Sequence, residues 1–102
     1  MHYIRIALYT FASGTVDEVI RRAETGLLPT FRSRPGFVAY SVIKTGETSA
    51  ISLTVWESRE QAEAAIQDAA SWARQNVAEM IESVQNHVGE VAFTSDILPR
   101  VS

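Results

Sequence analysis

The polar side chains of this sequence that are best suited to chemistry stand apart from one another rather than in a catalytic spacing. Arg5 interrupts a short apolar run near the N-terminus, and its planar guanidinium suits a phenolate or another oxyanion. It could equally pair with a carboxylate at a sheet edge. His87 lies in a predicted loop, where it could act as a general base near neutral pH or stand as a surface residue.

Aromatic side chains form the second group of candidates. Trp56 ends a predicted strand, where it could contact a planar substrate or fill the core. Trp72 could cover a pocket or anchor a helix. Tyr3, Tyr9 and Tyr40 could line a pocket or donate protons, although aromatic residues in strands usually serve packing.

Composition excludes several classes of function. The chain has no cysteine, and its two histidines and dispersed carboxylates show no metal-ligand spacing. Its five glycines do not form a phosphate-binding loop. Lys and Arg are scattered and the net charge is −3, which argues against a nucleic-acid surface. No apolar stretch approaches the ~18 residues of a membrane span. We therefore expect a soluble, cytoplasmic protein without a metal, a nucleic-acid partner or a membrane.

The first third of the chain predicts a strand followed by a helix. Apolar and other residues alternate over Tyr3 to Thr10, which indicates a strand. Thr15 and Glu18 have the spacing of a capping box, which predicts a helix start. Pro29 interrupts the helical pattern that follows, so we expect a kink or helix end near Leu28.

A hairpin follows the turn at Arg34-Pro35-Gly36. Its strands are predicted over Phe37 to Lys44 and Ala50 to Trp56. The first of them has almost no polar face, which is typical of a strand buried on both sides.

A long helical pattern follows the hairpin. Ser58 and Gln61 form a second capping-box pattern, and apolar residues recur at helical spacing as far as Val84. An unbroken helix over residues 59–85 would be about 40 Å long, whereas a seven-residue strand spans about 23 Å. We therefore predict a break near Asp68 to Ser71, with Ser71 capping a second helical piece.

The C-terminal part predicts one more strand and an arm. Gly89 starts a strand over Glu90 to Thr94, which leaves His87 in the preceding loop. The tail over residues 95–102 carries Ile97, Leu98 and Val101 and is predicted to pack as an arm.

This order of elements predicts one domain over residues 1–102 of the α+β class. It is a ferredoxin-like βαββαβ sandwich whose four-stranded antiparallel sheet carries helices on one face. Every strand face holds large apolar groups, and two helices cover only one face. Burying six such side chains is worth roughly 10–15 kcal/mol before association entropy is subtracted. We therefore expect a homodimer through the open sheet face, and Tyr9, Tyr40 and Trp56 suit such an interface.

Several motifs resemble those of a known family. Pro35-Gly36-Phe37, Tyr40 and the run Val55-Trp56-Glu57-Ser58-Arg59-Glu60-Gln61-Ala62 are similar to the antibiotic biosynthesis monooxygenase family, of the dimeric α+β barrel superfamily. The resemblance extends from about Tyr3 to Thr94. It implies a dimer whose two sheets form a barrel, with ligand pockets between sheet and helices.

The resemblance also implies a chemistry. Relatives that oxidise polycyclic phenols without a cofactor use a Trp at the position of Trp56, assisted by an Asn, an Arg and a Tyr; here Ser52 stands where the Asn is expected. The prediction is a cofactor-free monooxygenase for a small planar phenol or quinol. Its predicted residues are Trp56 and Arg5 as catalytic groups, and Trp72, Tyr3, Tyr9, Tyr40, Ser52 and His87 as substrate-binding groups.

Two other functions stay open. A dimer that only binds a small aromatic ligand, or that has a purely structural role, would account for the missing Asn and for the lack of a Tyr in the second predicted helix, where Ala62 and Ala65 stand. A haem-degrading enzyme would use Trp72 and His87, but its relatives also need an Asn on the first strand, and none is present.

Overall fold

The computed structural model describes residues 1–95 and shows four strands with helices between them. The strands are β1 (Tyr3–Phe11), β2 (Phe37–Gly46), β3 (Ser49–Trp56) and β4 (Ile81–Glu90), and the helices are α1 (Val16–Arg22), α2 (Leu28–Arg32) and α3 (Arg59–Asn76). All paired strands are antiparallel, in the order β2-β3-β1-β4. The predicted ferredoxin-like α+β fold is confirmed.

The two sheet faces have different environments. On β1, Arg5, Ala7 and Phe11 are buried against the helices, whereas Leu8 on the other face is 39% exposed. Tyr9, Tyr40 and Trp56 also pack with the helix-side core. Their predicted place in an interface on the open face is therefore wrong.

The first helical region is irregular. The Thr15 hydroxyl donates to the carbonyl of Ala12 at 2.7 Å, and Glu18 pairs with Arg21 and Arg22, so the predicted capping box at Thr15 is wrong. A π-helical turn, Ala23–Leu27, separates α1 from α2. Pro29 cannot donate a backbone hydrogen bond, and the expected irregularity near it is confirmed, although helical structure continues to Arg32.

The hairpin and the start of α3 follow the sequence prediction. Both hairpin strands are present, each slightly longer than predicted. The Ser58 hydroxyl accepts a hydrogen bond from the backbone N–H of Gln61 at 3.2 Å, as an N-cap does. Just before β2, Gly36 has φ +81°, a conformation that L side chains rarely adopt.

Helix α3 is continuous, so the predicted break at Asp68 to Ser71 is wrong. Asp68 pairs with Arg34 at 2.8 Å, and Ser71 caps no second piece. Trp72 lies inside α3 rather than at a helix start. The 18 residues of α3 extend about 27 Å, which matches the sheet because the helix ends at Asn76 instead of breaking.

The last strand begins earlier than predicted. Strand β4 covers Ile81–Glu90, not Glu90 to Thr94, and a 3₁₀ turn over Ala78–Met80 joins it to α3. The backbone N–H of Val91 then donates to the carbonyl of His2 at 2.8 Å. The predicted packing of Ile97, Leu98 and Val101 falls outside the described residues.

Residues 1–95 include no helix with both the length and the apolar character that a bilayer crossing requires.

Candidate active site

An apolar space on the helix side lies between α3 and strands β1 and β4. It has a volume of about 270 Å³. Ala69, Ala70 and Ala73 of α3 line it, and their small side chains leave this space between helix and sheet unfilled. The exposed Arg74 and Val84 border it, so it reaches solvent. We call this space the α3–β4 cavity.

Arg5 is the buried charged residue among those that line this cavity, and it is only 1% exposed. Its Nε donates to Asn86 Oδ1 at 2.9 Å and its Nη2 donates to the Tyr9 hydroxyl at 3.1 Å, while its buried Nη1 has no hydrogen-bond partner among the described residues. No described carboxylate pairs with it.

A buried cation without an acidic partner is costly in a folded protein. Two neutral partners satisfy part of the Arg5 guanidinium, and Arg5 lines a cavity that is large enough for a small ligand. The planar arrangement of guanidinium donors matches a phenolate, enolate or carboxylate. The alternative that Arg5 pairs with a carboxylate at a sheet edge does not hold among residues 1–95.

A second, much smaller cavity continues from the first toward the centre of the sheet. Its volume is about 30 Å³. It shares Tyr9, Ala69, Ala73 and Ile81 with the α3–β4 cavity. We call it the central cavity.

Tyr40 and Ser52 bring polar groups to the central cavity. Burial raises the pKa of Tyr40 to about 12, so its phenol is neutral at ordinary pH. Its interaction with the Ser52 hydroxyl, which opposes this rise, is weak, because that hydroxyl is buried without a well-formed hydrogen bond. Both residues lie on the helix side of the sheet, and their predicted contact with a substrate stays a prediction.

A third space lies at the opposite edge of the sheet. It has a volume of about 200 Å³ and is lined by Ile20, Glu24, Leu28, Tyr40 and Val42. Three of these residues also line the central cavity. The three spaces therefore follow one another between the sheet and the helices.

The family model for antibiotic biosynthesis monooxygenases matches residues 2–73. The chain belongs to this family. No curated protein matches it in sequence.

Solved structures show the same fold at low sequence identity. The NE2512 protein of unknown function from Nitrosomonas europaea is 16% identical, with a TM-score of 0.77 over 96% of this chain and 94% of that one. A variant of SnoaB, a cofactor-independent oxygenase from Streptomyces nogalater, is 14% identical, with a TM-score of 0.70 over 91% and 95%. SO0527 from Shewanella oneidensis is 14% identical, with a TM-score of 0.69 over 86% and 88%.

In this member of the antibiotic biosynthesis monooxygenase family, Trp72 lines the central cavity and packs against both core clusters. Its indole lies against the π-helical turn. A Cβ placed on Gly26 would be 2.7 Å from Trp72 Nε1, so the indole occupies space that only glycine leaves free. Trp72 thus lies beside a cavity, as a residue that covers a pocket would.

Trp56 is placed differently. It is 1% exposed and contacts Phe31 and Phe37 edge-on, with ring centroids 5.7 and 5.5 Å apart. Within residues 1–95 its buried Nε1 has no hydrogen-bond partner, and Trp56 lines neither the α3–β4 cavity nor the central cavity. Its catalytic role stays a prediction, while its observed contacts are those of a core residue.

Tyr3 and His87 also lie away from the cavities. The Tyr3 hydroxyl donates to Glu90 at 3.2 Å, and Arg59 lies 5.3 Å from the Tyr3 ring centre. His87 lies in β4 opposite Ile6, so its predicted loop position is wrong. It is exposed on the open face of the sheet, opposite to the face that carries Arg5.

Asn86 is the functional candidate that the sequence interpretation missed. It holds the Arg5 guanidinium and lines the α3–β4 cavity. Its neighbours at two-residue spacing, Val84 and Val88, are the signal that could have indicated a strand with Asn86 on the inner face. Placing residue 86 in a loop hid this alternation.

The described residues contain no group of three or more His, Asp or Glu side chains arranged to hold a metal ion.

Proposed function

We propose that the chain is a cofactor-free monooxygenase that binds a small planar phenol or quinol in the α3–β4 cavity. The observation that carries this proposal is the buried Arg5 guanidinium, which faces an apolar cavity without an acidic partner. Membership in the monooxygenase family supports the reaction class. The volume of about 270 Å³ lies near the lower end of ligand pockets, which favours a compact ring system.

The electrostatics favour a substrate that reacts as an anion. Arg5 stabilises the phenolate or enolate oxygen, and Tyr9 and Asn86 hold the guanidinium in place. No Asp, Glu or His lines the α3–β4 cavity. The substrate must therefore be acidic enough to lose its proton to water at the solvent-exposed side, with Arg5 lowering its pKa.

The substrate carbanion then reacts with dioxygen. One electron passes from the carbanion to O₂, and the two radicals combine to form a carbon–oxygen bond. The resulting peroxide takes up a proton and loses water, so that a CH₂ group and O₂ give a C=O group and H₂O. The protein contributes orientation, exclusion of bulk water and stabilisation of the anion.

Oxygen uptake with a panel of anthrones and hydroquinones tests the proposal. Removing one preorganised donor typically lowers kcat by about 10²–10³-fold, so Arg5→Gln is expected to show a loss of this order. Arg32→Gln is the matched control, because Arg32 is exposed and lies outside the cavities. No turnover by the wild type above buffer, or equal rates for the two variants, contradicts the proposal.

We also propose that a second copy of the chain covers the open sheet face. Ile6, Leu8 and Leu53 lie there, and no described helix packs on them. Ile6→Glu would bury a carboxylate in the dimer and should give a monomer in sedimentation at micromolar concentration. Ala64→Glu, at an exposed site of α3, should leave the sedimentation unchanged. A compact wild-type monomer would contradict the dimer.

A non-catalytic ligand-binding protein is the second candidate. The observation that favours it is the lack of an acid or base along the α3–β4 cavity. Incubation with a bound anthrone in air separates the two candidates, because a binding protein returns the ligand unchanged. A haem-degrading role has no such support, since Trp72 lies on the helix side of the sheet and His87 on the open face.

A further inference from the structure

The central cavity has a size and lining that differ from those of the α3–β4 cavity. At about 30 Å³ it is about one ninth of the volume of the α3–β4 cavity and has room for only a very small molecule. Ten of its fourteen lining residues have wholly apolar side chains, among them Val19, Leu27 and Val42. A planar aromatic ring does not fit in this volume, whereas a diatomic molecule does.

Apolar cavities in proteins remain dry and take up apolar atoms such as xenon. A water molecule in such a place needs two to four polar partners. The polar groups near the central cavity are the Tyr9 and Tyr40 hydroxyls, the Ser52 hydroxyl and the Trp72 indole. The Tyr9 hydroxyl already accepts a hydrogen bond from Arg5. The Tyr40 phenol and the Ser52 hydroxyl interact with each other. Most of the surface that an occupant would contact is alkyl, which favours an apolar occupant.

We propose that the central cavity is a dioxygen site beside the substrate cavity. This inference rests on the proposed monooxygenase function, which requires O₂ as the second substrate. The two cavities share Tyr9, Ala69, Ala73 and Ile81. A molecule in the central cavity is therefore next to the substrate, with at most these shared residues between them. Dioxygen held there would meet the carbanion at short range while the aromatic substrate fills the α3–β4 cavity.

Xenon binding tests the cavity itself. Methyl resonances of Val19, Leu27 and Val42 should shift in a saturable manner as xenon pressure rises, because these side chains line the space. Ala50→Val should abolish the shifts, because it places two more carbon atoms in the central cavity. Ala50 lies in β3, where valine is favourable.

Steady-state kinetics test the role of the cavity. Ala50→Val should raise KM for O₂ about five- to tenfold, because dispersion contacts from several carbon atoms are lost together, and should leave KM for the quinol unchanged. Ala70→Val is the matched control, because Ala70 lines only the α3–β4 cavity. It should raise KM for the quinol and leave KM for O₂ unchanged.

The outcomes separate the two proposals. Turnover by the wild type without saturable xenon shifts, or with an unchanged KM for O₂ in Ala50→Val, overturns the dioxygen site alone. Xenon binding without turnover of any quinol overturns the proposed function instead. If Ala50→Val does not fold, the xenon titration of the wild type still decides whether the cavity takes up an apolar gas.

Discussion

Replacing Arg5 by methionine should stabilise the protein while removing its ligand affinity. The guanidinium is 1% exposed, and no described carboxylate compensates its charge. Replacing buried charged groups by apolar side chains of similar volume is often neutral or stabilising. A group kept at a cost in stability is one that serves a ligand rather than the fold.

The magnitude follows from opposing contributions. Burial of an ion costs several kcal/mol even after relaxation, but the adjacent cavity of about 270 Å³ has room for water and reduces this cost. The variant loses two hydrogen bonds, to Asn86 and Tyr9, each worth about 1 kcal/mol. We expect a net gain of about 1–2 kcal/mol in the free energy of unfolding, or a rise in Tm of roughly 4–8 °C per kcal/mol.

Urea unfolding at pH 7 and one fixed protein concentration measures this gain, since dimerisation makes stability depend on concentration. Arg5→Lys is the control, because it keeps a buried charge and loses the planar set of donors. It should be less stable than Arg5→Met. A methionine variant that is more than about 1 kcal/mol less stable than the wild type would show that the guanidinium is structural, and would refute the reasoning.

Three further predictions concern single residues. Burial raises the pKa of Tyr40 to about 12, above its value near 10 in the unfolded chain, so the free energy of unfolding should be unaffected by this group below pH 10 and should fall as pH rises to 12. Urea unfolding monitored by absorbance should show this fall, and Tyr40→Phe should reduce it. Gly36 and Gly14 both have φ +81°, but a Cβ on Gly36 would collide with the Gln61 side chain whereas one on Gly14 meets nothing within 4 Å. Gly14→Ala should therefore cost about 1–2 kcal/mol and Gly36→Ala more, and equal losses in thermal unfolding would contradict the clash. Ser58→Ala should cost about 1 kcal/mol, because it removes the N-cap of α3; an unchanged Tm would contradict the cap.

The first two thirds of the fold could be predicted from local signals. Strand β1 follows from the alternation of its side chains, and the two hairpin strands follow from their apolar runs and the turn residues that bound them. The Ser58 cap likewise follows from its own sequence neighbourhood. The helix start at Thr15 was also predicted, but the Thr15 side chain makes no cap hydrogen bond, since its hydroxyl donates to the carbonyl of Ala12.

The last third could not be predicted in the same way. Val77, Met80, Ile81 and Val84 recur at helical spacing, and no Gly or Pro separates them from α3. Pairing with β1 nevertheless makes residues 81–90 a strand. A 27-residue helix is too long for the sheet, as predicted, but this limit on helix length does not reveal the residue at which the helix ends.

The candidate site was predictable only in part. Arg5 stood out as an isolated charge in an apolar run, and Trp72, Tyr9, Tyr40 and Ser52 all line the spaces between sheet and helices. Asn86 was missed because the residues around it were assigned to a helix and a loop, although Val84, Asn86 and Val88 alternate as in a strand. The same assignment placed His87 in a loop instead of in β4.

The row of alanines along α3 makes the interior easy to remodel. Ala70 is only partly buried and lines the α3–β4 cavity alone, whereas Ala69 and Ala73 line both cavities. A larger side chain at Ala70 would change the shape of one cavity, and one at Ala73 the shape of both. Single codon changes could therefore alter which molecules the interior admits, while the arrangement of strands and helices stays the same.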